Sequence, residues 1–100
     1  MIDDAIAVQA TGVNITTSGT SANAAIPNNS SGKPPNYVRL SVTANCFVRI
    51  GSGSGTTALA TDMLMVPADH AILKVAGNTY VAAIQQSGAG ICNVTPLEDL

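Results

Sequence analysis

Polar and apolar residues alternate most clearly between residues 36 and 51, and this stretch predicts two β-strands joined by a tight turn. A period of two residues places the apolar set on one face of each strand. The connection at residues 43–45 contains an asparagine, which suits a short hairpin turn. The pattern therefore predicts a β-hairpin in which Leu40 lies opposite Val48. The apolar positions are Val38, Leu40, Val42, Cys46, Val48 and Ile50.

Shorter strand-like segments lie on both sides of this stretch. Turn signals separate them every eight to twelve residues or so, as in sandwiches and small barrels, and no long segment has helical periodicity. Pro96 is expected to end the last strand. The prediction is an all-β fold, a small antiparallel β-sandwich or jelly-roll-like barrel of about eight short strands with an extended N-terminal arm. The further candidate strands are residues 5–10, 12–17, 57–60, 63–66, 71–75, 79–85 and 91–95.

The chain divides by composition into two parts of one domain. Residues 1–35 are polar and form an N-terminal arm that ends in a loop rich in Pro, Asn and Ser at residues 27–35. This arm pairs either with the sheet or with a neighbouring subunit. Residues 36–100 are the predicted sandwich core. The inward-facing side chains are expected to be Val38, Leu40, Val42, Val48, Ile50, Leu73, Val75, Val81 and Val94.

The composition is unusual in its low charge. Hydrophobic residues make up 46% of the chain and charged residues only 10%, with a formal net charge of −2. Typical domains carry about 25% charged residues. A net charge near zero favours association, so we expect a homo-oligomer or another assembly. The alternative is a monomer with a polar, weakly charged surface.

Several partners are excluded by the same composition. Four basic residues are scattered along the chain without a basic patch, so nucleic acid is not an expected partner. The first ten residues lack the basic and apolar regions of a signal peptide. No apolar run approaches the roughly 18 residues that cross a membrane. Synthesis in a cytoplasm is expected.

Catalytic, cofactor and metal sites are not predicted. His70 is the single histidine, and its sequence neighbour Asp69 would point to the opposite face of a strand. The glycine-rich residues 51–55 lack the Lys-Ser/Thr pair of a phosphate loop, which favours a flexible turn. The paired acidic residues 3–4 and 98–99 lie at the chain ends, where a metal or glycosidase site is not expected. The chain is therefore not expected to be an enzyme.

The two cysteines, Cys46 and Cys92, do not have the spacing of a zinc motif. Both lie in apolar, strand-like segments, which favours two small buried side chains. A disulfide is the alternative if their strands are neighbours.

Arg39 and Arg49 are the candidate subunit-contact residues. The hairpin register places them opposite each other on the outward face, and opposed like charges destabilise a sheet unless an anion lies between them. Asp62 or Asp69 is the intramolecular candidate for that anion. A carboxylate of another subunit is the other candidate, and two solvated arginines are the third possibility.

Residues 36–95 resemble a family of small virion proteins of tailed bacteriophages. The resemblance rests on the segments N-Y-V-R-L-S-V, N-C-F-V-R-I-G, A-T-D-M-L-M-V-P-A and G-N-T-Y-V-A-A-I-Q. It is closest to capsid decoration or cement proteins, in which a compact β-domain binds outside the major capsid protein lattice and bridges neighbouring capsomers.

The resemblance implies a virion structural protein on the capsid exterior, with the major capsid protein as partner and no cofactor. A receptor- or carbohydrate-binding module of a phage tail or fibre is the alternative. Sugar-binding faces commonly use aromatic side chains, and the chain has only two Tyr and one Phe. That scarcity favours the capsid function.

Overall fold

The computed structural model describes residues 6–7, 12–28, 32–69, 71–75 and 77–99. These residues form β-strands and connections, and among them no helix is long and apolar enough to cross a membrane. The all-β prediction is confirmed. The strands are β1 (Ile6–Ala7), β2 (Val13–Thr16), β3 (Ala22–Ala25), β4 (Tyr37–Val42), β5 (Cys46–Gly51), β6 (Met63–Met65), β7 (Ala71–Lys74), β8 (Tyr80–Gln85) and β9 (Ile91–Asp99).

The described strands form two antiparallel sheets that pack against each other. Sheet 1 has the order β2-β9-β4-β7, and β1 pairs with the far end of β9; sheet 2 has the order β3-β8-β5-β6. From β2 onward, each strand is followed by a strand of the other sheet, except that β5 and β6 are neighbours. This is the connectivity of a jelly roll, one of the architectures predicted from the sequence.

The predicted hairpin at residues 36–51 is wrong, although its two strands exist. β4 pairs with β7 and β9, whereas β5 pairs with β6 and β8, so the strands belong to different sheets. Leu40 lies opposite Val94 and Ala71, not opposite Val48. Residues 43–45 form an arch that crosses the sandwich. Alternation fixes which face of a strand is buried but not which strand it pairs with, and an arch and a hairpin bury the same residues.

The predicted core is confirmed. Val38, Leu40, Val81 and Val94 are fully buried, and Ile50 is partly buried against them. The inward faces of the two sheets interdigitate, as in other sandwiches. The remaining predicted core residues, Val42, Val48, Leu73 and Val75, are buried or partly buried against this cluster; Ile15, Ile26, Met65, Ala83 and the two cysteines also belong to it.

The N-terminal region contributes directly to both sheets. β2 pairs with β9 in sheet 1, and β3 pairs with β8 in sheet 2. Ile15 and Ile26 reach the hydrophobic core. Of the two alternatives for the arm, pairing within its own sandwich is therefore the one observed, and the sandwich extends from residue 36 back to Val13.

Two predictions about individual strands are wrong. Residues 57–60 are not a strand but part of a long connection. β9 continues through Pro96, which was expected to end it. Among the described residues, β2 pairs with β9 up to Val94 and β1 pairs with it from Glu98, and neither strand pairs with Pro96 on that side. A proline within a strand costs no ladder hydrogen bond where no partner strand faces its nitrogen.

Candidate interaction surface

The two arginines singled out from the sequence lie on opposite sides of the sandwich. Arg39 is on the outward face of sheet 1, beside Ile72 and Thr95. Arg49 is on the outward face of sheet 2, beside Ala82. The predicted opposition of the two guanidinium groups is wrong, because it depended on the hairpin register.

Arg49 has an intramolecular partner. Its Nη2 donates a hydrogen bond of 2.8 Å, and its Nε one of 3.1 Å, to Oδ1 of Asp62. The other carboxylate oxygen, Oδ2, accepts a 2.7 Å hydrogen bond from the backbone N–H of Leu59. The Leu59 N–H, followed by the Arg49 guanidinium, holds the pKa of the Asp62 carboxyl below its ordinary value. Of the alternatives for Arg49, pairing with Asp62 is the one observed.

Asp62 ends a segment of residues 52–62 that we call the strap. The strap leaves β5, reaches β3 at the edge of sheet 2 and returns to β6. At β3, Asn23 donates from Nδ2 to the carbonyl oxygens of Ser54 and Thr56, at 2.7 and 2.9 Å. The backbone N–H of Ala58 donates to Oγ of Ser21 at 2.8 Å. The strap therefore crosses the outer face of sheet 2.

The burial of Ala82 is the consequence of this crossing. Ala82 points outward between Asn23 and Arg49 in the sheet register, yet it is fully buried and lies outside the main hydrophobic cluster. The strap contributes Ala58, which is 1% exposed. Small side chains on both layers allow the strap to pack closely against β8.

The row next to Ala82 on the same outer face is apolar and is not fully covered. Phe47 lies between Ile84 of β8 and Leu64 of β6 in the register. Phe47 and Ile84 are partly buried, and Leu64 is 43% exposed. The strap adds Leu59, which is 50% exposed and lies three residues before Asp62. We call Phe47, Leu59, Leu64 and Ile84 the outer patch.

The outer patch borders an open sheet edge. Among the described strands, β6 is the last of sheet 2 and pairs with β5 alone, through residues 63–65. The side chain of Met63 on this edge is 44% exposed. In the described part of the chain, the other side of β6 has no partner strand. Such an edge presents free backbone donors and acceptors to another chain.

The sequence contains a signal for this surface in addition to the alternation of polar and apolar residues. The runs Cys46-Phe47-Val48 and Met63-Leu64-Met65 each hold three consecutive apolar residues. Neighbouring strand residues point to opposite faces, so when the outer two face the core, the middle one faces outward. The strap could not be predicted in this way, because it depends on hydrogen bonds to β3, about 30 residues earlier in the chain.

The side chains that could take part in catalysis or metal binding form no reactive group in the described part of the structure. His70 lies outside the described residues, as do residues 3–4, and the side chains of residues 98–99 are not described. Asp69 accepts a hydrogen bond at Oδ2 from the N–H of Val66 and stabilises a turn. Among the described residues, no cluster of His, Cys, Asp and Glu could hold a metal ion, and no pocket is present.

Cys46 and Cys92 are both buried and both free thiols, as one of the two predictions for them stated. They come from different sheets, Cys46 from β5 and Cys92 from β9, and both side chains belong to the hydrophobic core. The Cys92 thiol lowers the pKa of Cys46, and interaction with Cys46 together with burial raises the pKa of Cys92.

No protein-family model matches the chain, and comparison with curated proteins and with solved structures also finds no match.

Proposed function

We propose that the chain is a virion structural protein that binds the outside of a phage capsid and stabilises it. The observation that carries this proposal is the outer patch beside the open β6 edge. An exposed apolar patch on the surface of a small domain is typical of an interaction site. The major capsid protein is the proposed partner, and the outer patch is the proposed contact.

The jelly-roll connectivity is consistent with this function. Jelly rolls occur in viral capsid proteins and in lectins, so the fold alone supports both the capsid function and the receptor-binding alternative. The resemblance of residues 36–95 to decoration proteins and the apolar, non-concave character of the outer patch favour the capsid function. A sugar site would need a concave surface with convergent polar groups.

Many identical sites on a shell would compensate for a small contact. A decoration protein that binds only in its folded state is itself stabilised by the shell, through mass action. If copies also contact each other, the effective concentration on the shell raises the overall affinity. The low charge of the chain, with a net charge of −2, places little electrostatic repulsion between neighbouring copies.

Binding to capsids tests the proposal. The gene is deleted from a phage that normally carries it, and capsids that lack the protein are purified from this mutant. The purified protein is then mixed with these capsids. We expect saturable binding and greater resistance of the shells to heat. Absence of shell binding, together with specific binding to a glycan or a host surface, would contradict the proposal and support a receptor-binding module.

Two matched variants locate the contact. Leu64→Ser removes an apolar side chain from the outer patch, and Ile91→Ser removes one that is 38% exposed on sheet 1. Burial of a leucine contributes about 1.5–3 kcal/mol, so Leu64→Ser should weaken capsid binding roughly tenfold or more. Ile91→Ser should bind like the parent. Equal loss in both variants, or loss only with Ile91→Ser, would show that the outer patch is not the contact.

A further inference from the structure

Cys46 and Cys92 occupy a position that neither the fold nor the proposed function requires to be cysteine. Each has 0% exposure, and both belong to the same hydrophobic cluster. One lies on each sheet, so the pair spans the interior of the sandwich. They are the only cysteines in the chain.

The arch at residues 43–45 brings the two together. Val42, the last residue of β4, is the register partner of Cys92, and Cys46 begins β5 directly after the arch. The arch is bound to the connection between β8 and β9. The N–H of Thr43 donates to the carbonyl of Ile91 at 2.9 Å, and the N–H of Gln86 donates to the carbonyl of Asn45 at 3.1 Å.

This end of the sandwich is also tightly packed. A side-chain carbon at Gly90 would lie 2.7 Å from Cβ of Ala44, so the connection that precedes Cys92 contacts the arch that precedes Cys46. The shifted pKa values of the two thiols agree with this approach. A disulfide needs Cβ atoms that face each other on closely approaching backbones, and Cys46 and Cys92 each lie two residues beyond the contacting residues Ala44 and Gly90.

We propose that Cys46 and Cys92 are a latent disulfide site that joins the two sheets when the folded protein meets a low-molecular-weight disulfide such as oxidised glutathione. The cross-link would clamp the arch end of the sandwich. The chain folds with both thiols reduced, and the bond forms in an oxidising medium.

The reaction is a two-step thiol–disulfide exchange. The Cys46 thiolate attacks one sulfur of oxidised glutathione, which breaks the glutathione disulfide and releases one glutathione thiolate. The Cys92 thiol loses its proton and attacks the Cys46 sulfur of the mixed disulfide, which releases the second glutathione. The two cysteines lose two electrons and two protons, and one glutathione disulfide becomes two glutathione thiols. The lowered pKa of Cys46 suits it to the first step.

Burial makes the reaction depend on motion of the arch. Both sulfur atoms are inaccessible in the closed structure, so the oxidant reaches Cys46 only when the arch opens locally. Once the mixed disulfide has formed, Cys92 is the one other thiol in the chain, and the arch holds it nearby. Intramolecular closure is therefore favoured over a second attack from solution.

The test incubates the reduced parent protein with oxidised glutathione, at room temperature and again a few degrees below its melting temperature. Intact mass and thermal unfolding are measured before and after. We expect a loss of the mass of two hydrogens, no cross-linked dimer on a non-reducing gel, and a rise in Tm of roughly 10 °C, because the cross-link closes a long loop. Dithiothreitol should reverse both changes, and the reaction should be faster near the melting temperature.

The single variants Cys46→Ala and Cys92→Ala are the controls, and neither should gain Tm on treatment. The outcome of the test depends on the parent protein alone, so a variant that fails to fold does not change the conclusion. Thiols that remain free near the melting temperature, a stable glutathione adduct, a disulfide-linked dimer, or a cross-link that lowers Tm would each overturn the proposal.

Discussion

Two leucines in this chain have opposite roles although both lie on regular strands. Leu40 points between the sheets and is fully buried, whereas Leu64 points outward in the outer patch and is 43% exposed. Truncating a buried leucine removes apolar contacts and leaves a cavity, because the surrounding strands relax only partially. Truncating an exposed leucine leaves no cavity.

Leu40→Ala should therefore lower the free energy of unfolding by about 2–5 kcal/mol. Leu64→Ala, the matched control, should lower it by roughly 0.5 kcal/mol or less. Urea denaturation of both variants and the parent measures the difference. Equal midpoints for the two variants would mean that the inward and outward faces of these strands are assigned wrongly.

Asp62 gives the stability of the strap a pH dependence. Its folded-state pKa is lowered, so its contribution is present above the ordinary Asp pKa of about 3.9 and is lost as the pH falls through the folded-state value. Asp62→Asn should unfold at a lower urea concentration than the parent at about pH 7, and the gap should close in strong acid, at a pH below the folded-state pKa of the carboxyl. A gap that is the same at both pH values would show that the carboxylate charge is not the cause.

Residue-scale burial was largely predictable, because alternation determines which side of a strand faces the core. The inward positions of β4 and β5 followed directly from the pattern. The partner of Arg49 was predictable only as one of several carboxylates, because Asp62 reaches it through the path of the strap. That path depends on Asn23 and Ser21, whose contacts with the strap leave no local pattern in the sequence.

At the scale of elements, the arch between β4 and β5 determines how the sandwich is connected. Its three residues cross from one sheet to the other and contact the connection between β8 and β9. A short connection between two alternating segments predicts a hairpin when only local sequence is considered. The observed pairing of β4 with β9 joins residues at least 50 positions apart in the chain, and local periodicity carries no information on it.

Gly90 tests how closely the arch is packed. A Cβ at this position would lie 2.7 Å from Cβ of Ala44 and 3.1 Å from its backbone nitrogen, neither of which can rotate away. Gly90→Ala should lower the free energy of unfolding by about 1–3 kcal/mol through overpacking.

Gly88 is the matched control in the same connection, because a Cβ there would meet no atom within 4 Å. Gly88→Ala should be neutral or slightly stabilising, since alanine restricts the unfolded chain. Thermal unfolding of the two variants measures the difference. If Gly90→Ala is as stable as Gly88→Ala, the arch does not pack against this connection.

At the scale of the whole molecule, the jelly roll uses the N-terminal strands to complete both sheets. β2 covers one side of β9, and β3 covers one side of β8. The strands within residues 1–35 are short and contain few large apolar residues, so apolar and polar positions do not alternate clearly there. The sequence therefore predicts an arm for this region. Ile15 and Ile26 are the buried exceptions.

Deletion of residues 1–26 should therefore prevent folding rather than remove an accessory arm. The shortened chain would lose both strands and expose one side of β8 and of β9. Circular dichroism and amide exchange should report an unfolded or aggregated product. A cooperative unfolding transition in the shortened chain would mean that residues 36–100 form an independent domain.

The proposed function assigns the outer patch to contact with a capsid, and that assignment determines how many copies a particle carries. A decoration protein occupies every equivalent site of a shell, whereas a tail or fibre module is present in a few copies. The most direct measurement is the number of copies per particle, by quantitative mass spectrometry of purified virions of a phage that carries the gene, normalised to the major capsid protein. We expect hundreds of copies, in a fixed ratio to the major capsid protein. Absence of the chain from purified particles, or only a few copies in each, would contradict it.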